Sequence, residues 1–390
     1  MRKPRFRIVL ALASVGAVAA AGSAAAAHNA QPANAVVGQV YVDDNTAPVN
    51  TVAGYDRHAD GSLTPIAGSP FAVGGSGTGH SNASQGSLQL SSDGRYLLAV
   101  DAGSNQISVL RIKPDGSLQP AEGSPVASNG TDPVSIAVSG DLVYVANQGP
   151  ANANYTGFRL NAGGHLRAID GSTYPLPANA KPGEVLFDDA GTKLVGTRIA
   201  SSQIDSFTVG GDGLLTPVAG SPYDAQGFTP PQGYGQLGAE FDPVDGNDLI
   251  VSDAHVAAGG PAPGLVSSFT DANGTLTPVG APVPNDGVAS CWVEISHDGK
   301  YAFVVNTASA SVSSYAIGGG GALTFLQSTP HGEIGAGAED ARLSPDGSTL
   351  WIVESGTNAV TGFTVDGGTL TPLANADGPA GATPSGIVVT

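Results

Sequence analysis

The sequence has 390 residues, with 15 Lys and Arg against 33 Asp and Glu and a single cysteine, Cys291. This composition excludes disulfide-stapled, collagen-like and basic nucleic-acid-binding proteins. The net charge of −18 also argues against binding to nucleic acid or to an anionic membrane surface, because like charges repel.

The N-terminus predicts a secretory signal peptide. Four basic residues within the first seven are followed by an apolar run over residues 8–21 and then by a series of alanines. This order of basic, apolar and small residues is typical of the leader of an exported protein. We assign residues 1–35 to this signal peptide and a short N-terminal segment. The mature chain, 36–390, is then secreted, with 11 basic and 33 acidic residues and a net charge of −22.

The rest of the chain is a repeat. A short phrase, Gly-x-Leu followed within a few residues by Gly-Ser-Pro or a relative of it, recurs seven times. Around each leucine lie four apolar segments of strand length, separated by turn residues such as Asp-Gly. Seven units of four strands, without helical periodicity between them, predict an all-β protein: one seven-bladed β-propeller of four-stranded antiparallel blades over 36–390. The repeated leucines are Leu63, Leu118, Leu166, Leu215, Leu276, Leu323 and Leu370.

The two ends of the mature chain predict how the ring closes. The first unit begins with a second-strand sequence, VVGQVYVDDN, and lacks the opening strand of its siblings. The chain ends with PSGIVVT, which resembles an isolated opening strand. We therefore expect residues 387–389 to pair beside residues 37–42, which removes two open sheet edges.

The innermost strand of each blade lines the central channel, and its alternation predicts which side chains face the axis. Glu240, Glu294 and Arg342 fall on the channel face of consecutive blades, joined by Asp340 and Glu184. Facing carboxylates raise one another's pKa and a nearby arginine restores ionisation, so Glu294 or Glu240 could activate water while Arg342 stabilises an oxyanion. The alternative is that a water-filled channel is simply lined by polar residues.

Weaker binding candidates are Gln89 and Trp292 on the same channel face, and His80 and His255 in Gly-rich loops that could reach a channel mouth. A solvated loop histidine is the commoner outcome. The sequence contains no nucleophile elbow, phosphate loop, His-Glu-x-x-His or paired-cysteine motif. We therefore expect no cofactor and no metal.

Two segments, SLQLSSDGRYLLAVDAGSNQISVLRI and VEISHDGKYAFVVNTASASVSSYAI, resemble the seven-bladed lactonase family, which includes 6-phosphogluconolactonase-like and carboxymuconate-cyclase-like proteins. The resemblance covers the chain from Val36 to its end and implies that Glu294 is the channel acid of the sixth blade. Family members carry histidines at the starts of two early inner strands. In this chain the segments that open the early inner strands, 132–135, 182–184 and 237–240, have no histidine.

Two functions follow from these observations. The first is a secreted lactonase-like hydrolase acting on a neutral or weakly charged lactone, since a strongly acidic protein disfavours a phosphorylated one. The second is a non-catalytic extracellular binding or scaffold propeller. In either case we expect a monomer whose partner is a small lactone or a carbohydrate-derived ligand.

Overall fold

The computed structural model describes residues 32–225, 234–255, 263–379 and 381–390. Over these residues the chain forms seven antiparallel sheets arranged as the blades of a propeller, which confirms the predicted fold class. Short 3-10 turns at Ala102–Ser104 and Gly319–Gly321 are the helical elements of the described part. In that part no helix is long and apolar enough to cross a membrane. The predicted signal peptide lies almost entirely outside the described residues and stays a prediction.

We number the blades along the chain and their strands from the channel outward. The inner strands of blades 1 to 7 are Gly386–Val389, Leu88–Leu90, Pro133–Ser139, Pro182–Phe187, Tyr234–Phe241, Ser290–Ile295 and Ala338–Leu343. The second strands are Val36–Asp43, Tyr96–Asp101, Leu142–Asn147, Lys193–Arg198, Asp248–His255, Tyr301–Asn306 and Thr349–Glu354. The third strands are Thr51–His58, Gln106–Ile112, Asn154–Leu160, Gln203–Val209, Pro263–Ala272, Ser311–Ile317 and Ala359–Asp366.

The outer strands are Leu63–Pro65, Leu118–Pro120, Leu166–Ala168, Leu215–Pro217, Thr275–Pro278, Leu323–Pro330 and Thr369–Pro372. A further short segment pairs with the third strand of every described blade except blade 6. These segments are Phe71–Ala72, Val126–Ala127, Tyr174–Pro175, Tyr223–Asp224, Val283–Val288 and Ala376–Asp377.

The hydrophobic core lies between neighbouring blades. Second strands are buried on both faces, so they read as nearly continuous apolar runs such as YLLAVD in blade 2, all six residues of which are buried. Leu98 of blade 2 packs with Val145 and Phe158 of blade 3 in one such cluster. The repeat is therefore needed for stability, because a single blade cannot cover its own apolar faces.

The ring closes as predicted. The C-terminal strand pairs antiparallel with the second strand of blade 1, with Val389 opposite Val40 and Ile387 opposite Val42. The last residue extends this pairing, since the Thr390 backbone N–H donates to the Gln39 carbonyl oxygen at 2.8 Å. The first and last strands of the propeller thus belong to one sheet.

Candidate functional site

A loop segment, Ser84–Gly86, precedes the inner strand of blade 2 and contacts the inner strands of blades 3, 4 and 6. We call this segment the plug. The Gln85 side chain, 3% exposed, donates from Nε2 to the Val293 carbonyl oxygen at 2.8 Å and accepts the Val293 N–H on Oε1 at 3.1 Å. The Gln85 N–H donates to the Gly183 carbonyl oxygen, so the plug connects blades 4 and 6 across the channel.

The plug fits because the inner strand of blade 5 has a glycine, Gly238, at the position opposite it. A Cβ atom on Gly238 would overlap with Gln85 Oε1 and with the carbonyl oxygen of Cys291. Trp292 lies beside the plug, with its Nε1–H donating to the Ser84 carbonyl oxygen at 2.7 Å. The indole is buried and packs with the core between blades.

A cavity of about 370 Å³ lies between the plug and the hairpin turns that join inner and second strands. We call that end of the channel the turn face. The charged and amide side chains that line the cavity are Gln85, Gln89, Glu184, Asp188, Asp189, Glu240 and Arg342. Among the described residues the cavity lining is therefore acidic, with Arg342 as its one cationic group.

The channel carboxyls have a structural role that alternation alone does not reveal. Each accepts a backbone N–H from the inner strand of the next blade, an edge strand that has no ladder partner on that side. Glu184 Oε2 accepts from Ala239 at 2.5 Å, Glu240 Oε2 from Ile295 at 2.5 Å, Glu294 Oε2 from Leu343 at 2.8 Å and Asp340 Oδ2 from Ile387 at 3.3 Å. These four hydrogen bonds latch blades 4 to 7 and blade 1 together around the channel.

Arg342 is the cation of this ring. Its Nη1 lies 3.2 Å from Glu294 Oε1, and the two side chains are 25% and 4% exposed respectively. Burial lowers the pKa of Arg342, but the surrounding carboxylates, Glu294 first and Asp340 next, outweigh burial and raise it. Arg342 therefore stays charged, and Glu294 holds it in place from behind the cavity wall.

Burial raises the pKa of each carboxyl in the ring. It raises the pKa of Asp340 to about 7 against the opposing effect of Arg342. The pKa of Glu184 and that of Glu240 are also raised, with the Glu294 charge as the second cause for Glu240. At neutral pH the ring therefore holds part of its protons, and a carboxyl group here is a stronger base than one in water.

The predicted site residues separate into three groups. Glu184, Glu240, Gln89 and Arg342 meet at the cavity. Glu294 and Asp340 belong to the same ring but are almost wholly buried and do not line the cavity. Trp292 and His80 do not line the cavity, and the side chain of His255 lies outside the described part of the structure.

Trp292 lies against the plug. His80 is exposed in the segment that leads into the plug, where its carbonyl oxygen accepts from Asn45 Nδ2 at 2.7 Å. The backbone of His255 ends the second strand of blade 5, and its side chain lies outside the described part of the structure. Binding roles for these three residues stay predictions.

Sequence reasoning missed Gln85, because a residue in a loop has no strand parity to indicate the channel. The available signal was Gly238, which leaves a gap in the channel-facing column where blades 4, 6 and 7 have Glu184, Trp292 and Asp340. In the described residues no group of three His, Cys, Asp or Glu side chains has a geometry suited to a metal.

Comparison with known proteins identifies the family. The family model described as lactonase, 7-bladed β-propeller, matches residues 49–174 and 254–389. The chain belongs to this lactonase family. Glu294 and Arg342 lie in the matched parts of this lactonase-family chain, whereas Glu184 and Glu240 lie in the segment between them.

Solved structures share the fold at low identity. A Bacteroides uniformis protein with a provisional 6-phosphogluconolactonase assignment superposes with a TM-score of 0.70 at 18% identity, covering 90% of this chain and 99% of that one. A periplasmic gluconolactonase of Pseudomonas aeruginosa superposes with a TM-score of 0.65 at 18% identity, covering 90% and 98%. A search of curated proteins finds no match to this sequence.

Proposed function

We propose that this chain is a lactonase that hydrolyses uncharged or weakly charged lactones in the turn-face cavity. The observation that carries the proposal is that Glu240 and Arg342 line the same cavity. Glu240 Oε2 is fixed by the Ile295 N–H, and Oε1 has no hydrogen-bond partner among the described residues. A carboxylate oxygen held in this way can accept a proton from water.

The reaction then follows from three groups. Glu240 removes a proton from a water molecule, which attacks the lactone carbonyl carbon and forms a tetrahedral oxyanion. Arg342 stabilises that negative charge, and Glu294 keeps the guanidinium in place. When the intermediate collapses, the bond between the carbonyl carbon and the ring oxygen breaks, and the ring oxygen takes the proton from Glu240. The product is a hydroxy acid.

The charges around the cavity support an uncharged substrate. Glu184, Glu240, Asp188 and Asp189 face one arginine, which already interacts with Glu294. A phosphorylated lactone would therefore meet net repulsion. The predicted signal peptide supports the same choice. Phosphorylated sugar metabolites are made in the cytoplasm, and we propose that this protein acts outside it.

One observation favours the alternative, a binding propeller without turnover. All four channel carboxyls accept backbone hydrogen bonds from the next blade, which gives a structural reason for their presence. A non-catalytic member of the family would need them equally.

A lactone panel followed by proton release near neutral pH separates the two functions. The panel pairs uncharged five- and six-membered sugar lactones with a phosphorylated counterpart. We expect turnover of an uncharged lactone, with kcat/KM at least about tenfold above that of the phosphorylated one. Turnover absent for every lactone would support the binding function and overturn this proposal.

A further inference from the structure

A second cavity adjoins the mouth of the first. It has a volume of about 610 Å³ and lies on the turn face between blades 4 and 5. We call it the interblade groove. Asp188, Asp189 and Pro243 line both the groove and the channel cavity. A ligand bound in the channel can therefore continue into the groove without leaving the protein surface.

The described residues of the groove are polar, and their one cationic side chain, Lys193, is already engaged. Lys193 is buried in its wall, and its Nζ lies within 3.4 Å of the carbonyl oxygens of Gly246 and Asp271 and of Asn247 Oδ1. The Asp271 carboxylate lies 3.6 Å from the same ammonium group. Because Lys193 is already surrounded by these oxygens, it does not attract an anionic ligand.

The remaining wall suits a hydroxyl-rich ring. Thr192, Thr208 and Asn273 present exposed side chains. The two threonine hydroxyls already donate within the protein and can accept from a ligand, whereas the Asn273 amide can donate and accept. Val244, 69% exposed, and Pro243 form an apolar edge against which the C–H face of a sugar can pack. Pyranose rings have this combination of hydroxyl groups around the rim and C–H groups on the face.

Both walls are held rigidly by their own turns. Asp188 Oδ1 accepts the backbone N–H groups of Thr192 and Lys193, each at 2.8 Å. Asp242 Oδ1 accepts those of Val244 and Asp245 at 2.8 and 3.1 Å. The groove is therefore preformed, which limits the ordering cost of binding.

We infer that the interblade groove binds a glycosyl group attached to the lactone ring, so that the substrate is the lactone of an oligosaccharide aldonic acid. The inference rests on the proposed function, with the lactone ring in the channel beside Glu240 and Arg342. The next sugar ring lies in the groove between blades 4 and 5.

The test compares gluconolactone with cellobionolactone, which carries the same lactone ring and one additional glucosyl group. We expect the wild-type protein to hydrolyse cellobionolactone with a kcat/KM at least about tenfold higher. In Thr208→Trp, where the indole fills the groove, this advantage disappears while kcat/KM for gluconolactone stays within about twofold.

Thr364→Trp is the matched control. Thr364 occupies the same place in blade 7 that Thr208 occupies in blade 4, opposite the first residue of the second strand. It is equally exposed and does not line the groove, so this variant keeps the preference for cellobionolactone.

The outcomes distinguish the two proposals. If gluconolactone is hydrolysed, equal rates on both lactones, or a preference that survives Thr208→Trp, would overturn the groove assignment and leave the lactonase function standing. If neither lactone is hydrolysed, both proposals are overturned.

Discussion

Replacing Arg342 by methionine should lower the free energy of unfolding by about 3–5 kcal/mol near pH 8 and by much less near pH 5. The substitution keeps an unbranched, largely apolar side chain but removes the cation that faces Glu294. Without it, Glu294, Asp340, Glu240 and Glu184 lose their shared counter-charge in a buried ring. Chemical denaturation at the two pH values measures the difference.

The direction of this pH dependence follows from proton linkage. The carboxyls of the ring have a raised pKa in the folded state, about 7 for Asp340, and the loss of Arg342 raises it further. Stability associated with such a group is complete below its unfolded-state pKa, about 4, and is lost as pH rises through its folded-state pKa. The free energy of unfolding of the variant is therefore close to that of the wild type at low pH and falls below it as the pH rises.

Two further variants make this result specific to the ring. Arg95→Met removes an exposed pair with Asp93, whose side chains are 55% and 48% exposed, and should leave the free energy of unfolding essentially unchanged. Adding Glu294→Gln to Arg342→Met should recover part of the loss. Equal destabilisation by Arg342→Met at both pH values would contradict the role assigned to Arg342.

Deleting residues 385–390 should lower the melting temperature by at least about 10 °C or prevent folding. The deletion removes Ile387, Val388 and Val389, which are 0%, 3% and 4% exposed, and each is worth about 1.5–3 kcal/mol of burial. It also leaves the second strand of blade 1 as an open edge. Circular dichroism during heating measures the loss.

A rearranged chain provides the control. When residues 385–390 are moved directly before Gln39 through an Asn-Gly turn, blade 1 is built from one continuous segment. The Thr390 N–H already donates to the Gln39 carbonyl oxygen at 2.8 Å, so a tight turn can join the two residues. Most of the lost stability should return. Full stability in the simple deletion would mean that ring closure does not hold the fold together.

The fold could be predicted from the sequence because the same pattern of strands and turns is repeated along the chain. Seven copies of one turn-and-strand phrase fix the number of blades, and the incomplete first unit indicates where the last strand belongs. Period-two alternation predicted a channel-facing position for Glu184, Glu240 and Arg342, and these three side chains line one cavity. These features depend on local pattern, which a single sequence contains.

The arrangement inside the channel could not be predicted in the same way. Alternation predicts that a side chain faces the channel. It does not predict how deep in the channel that side chain lies, or which loop segments also enter the channel. Gln85 comes from a loop, and it occupies the space beside Gly238. The stagger between blades, which lets Glu294 reach the Leu343 N–H, is a tertiary property. The sequence alone therefore left both Glu294 and Glu240 as candidates for the base, with the family resemblance implying Glu294, whereas Glu240 is the one that lines the cavity.

The central claim is that Glu240 provides the base while Glu294 holds Arg342 and latches blades 6 and 7. The most direct measurement compares kcat and melting temperature for Glu240→Gln and Glu294→Gln, since glutamine can still accept the backbone hydrogen bond made by each carboxyl. We predict that Glu240→Gln lowers kcat on an uncharged lactone by about 100-fold or more with little change in melting temperature. Glu294→Gln should lower the melting temperature and reduce kcat by less than about tenfold. Full activity in Glu240→Gln, with activity abolished in a folded Glu294→Gln, would contradict this account.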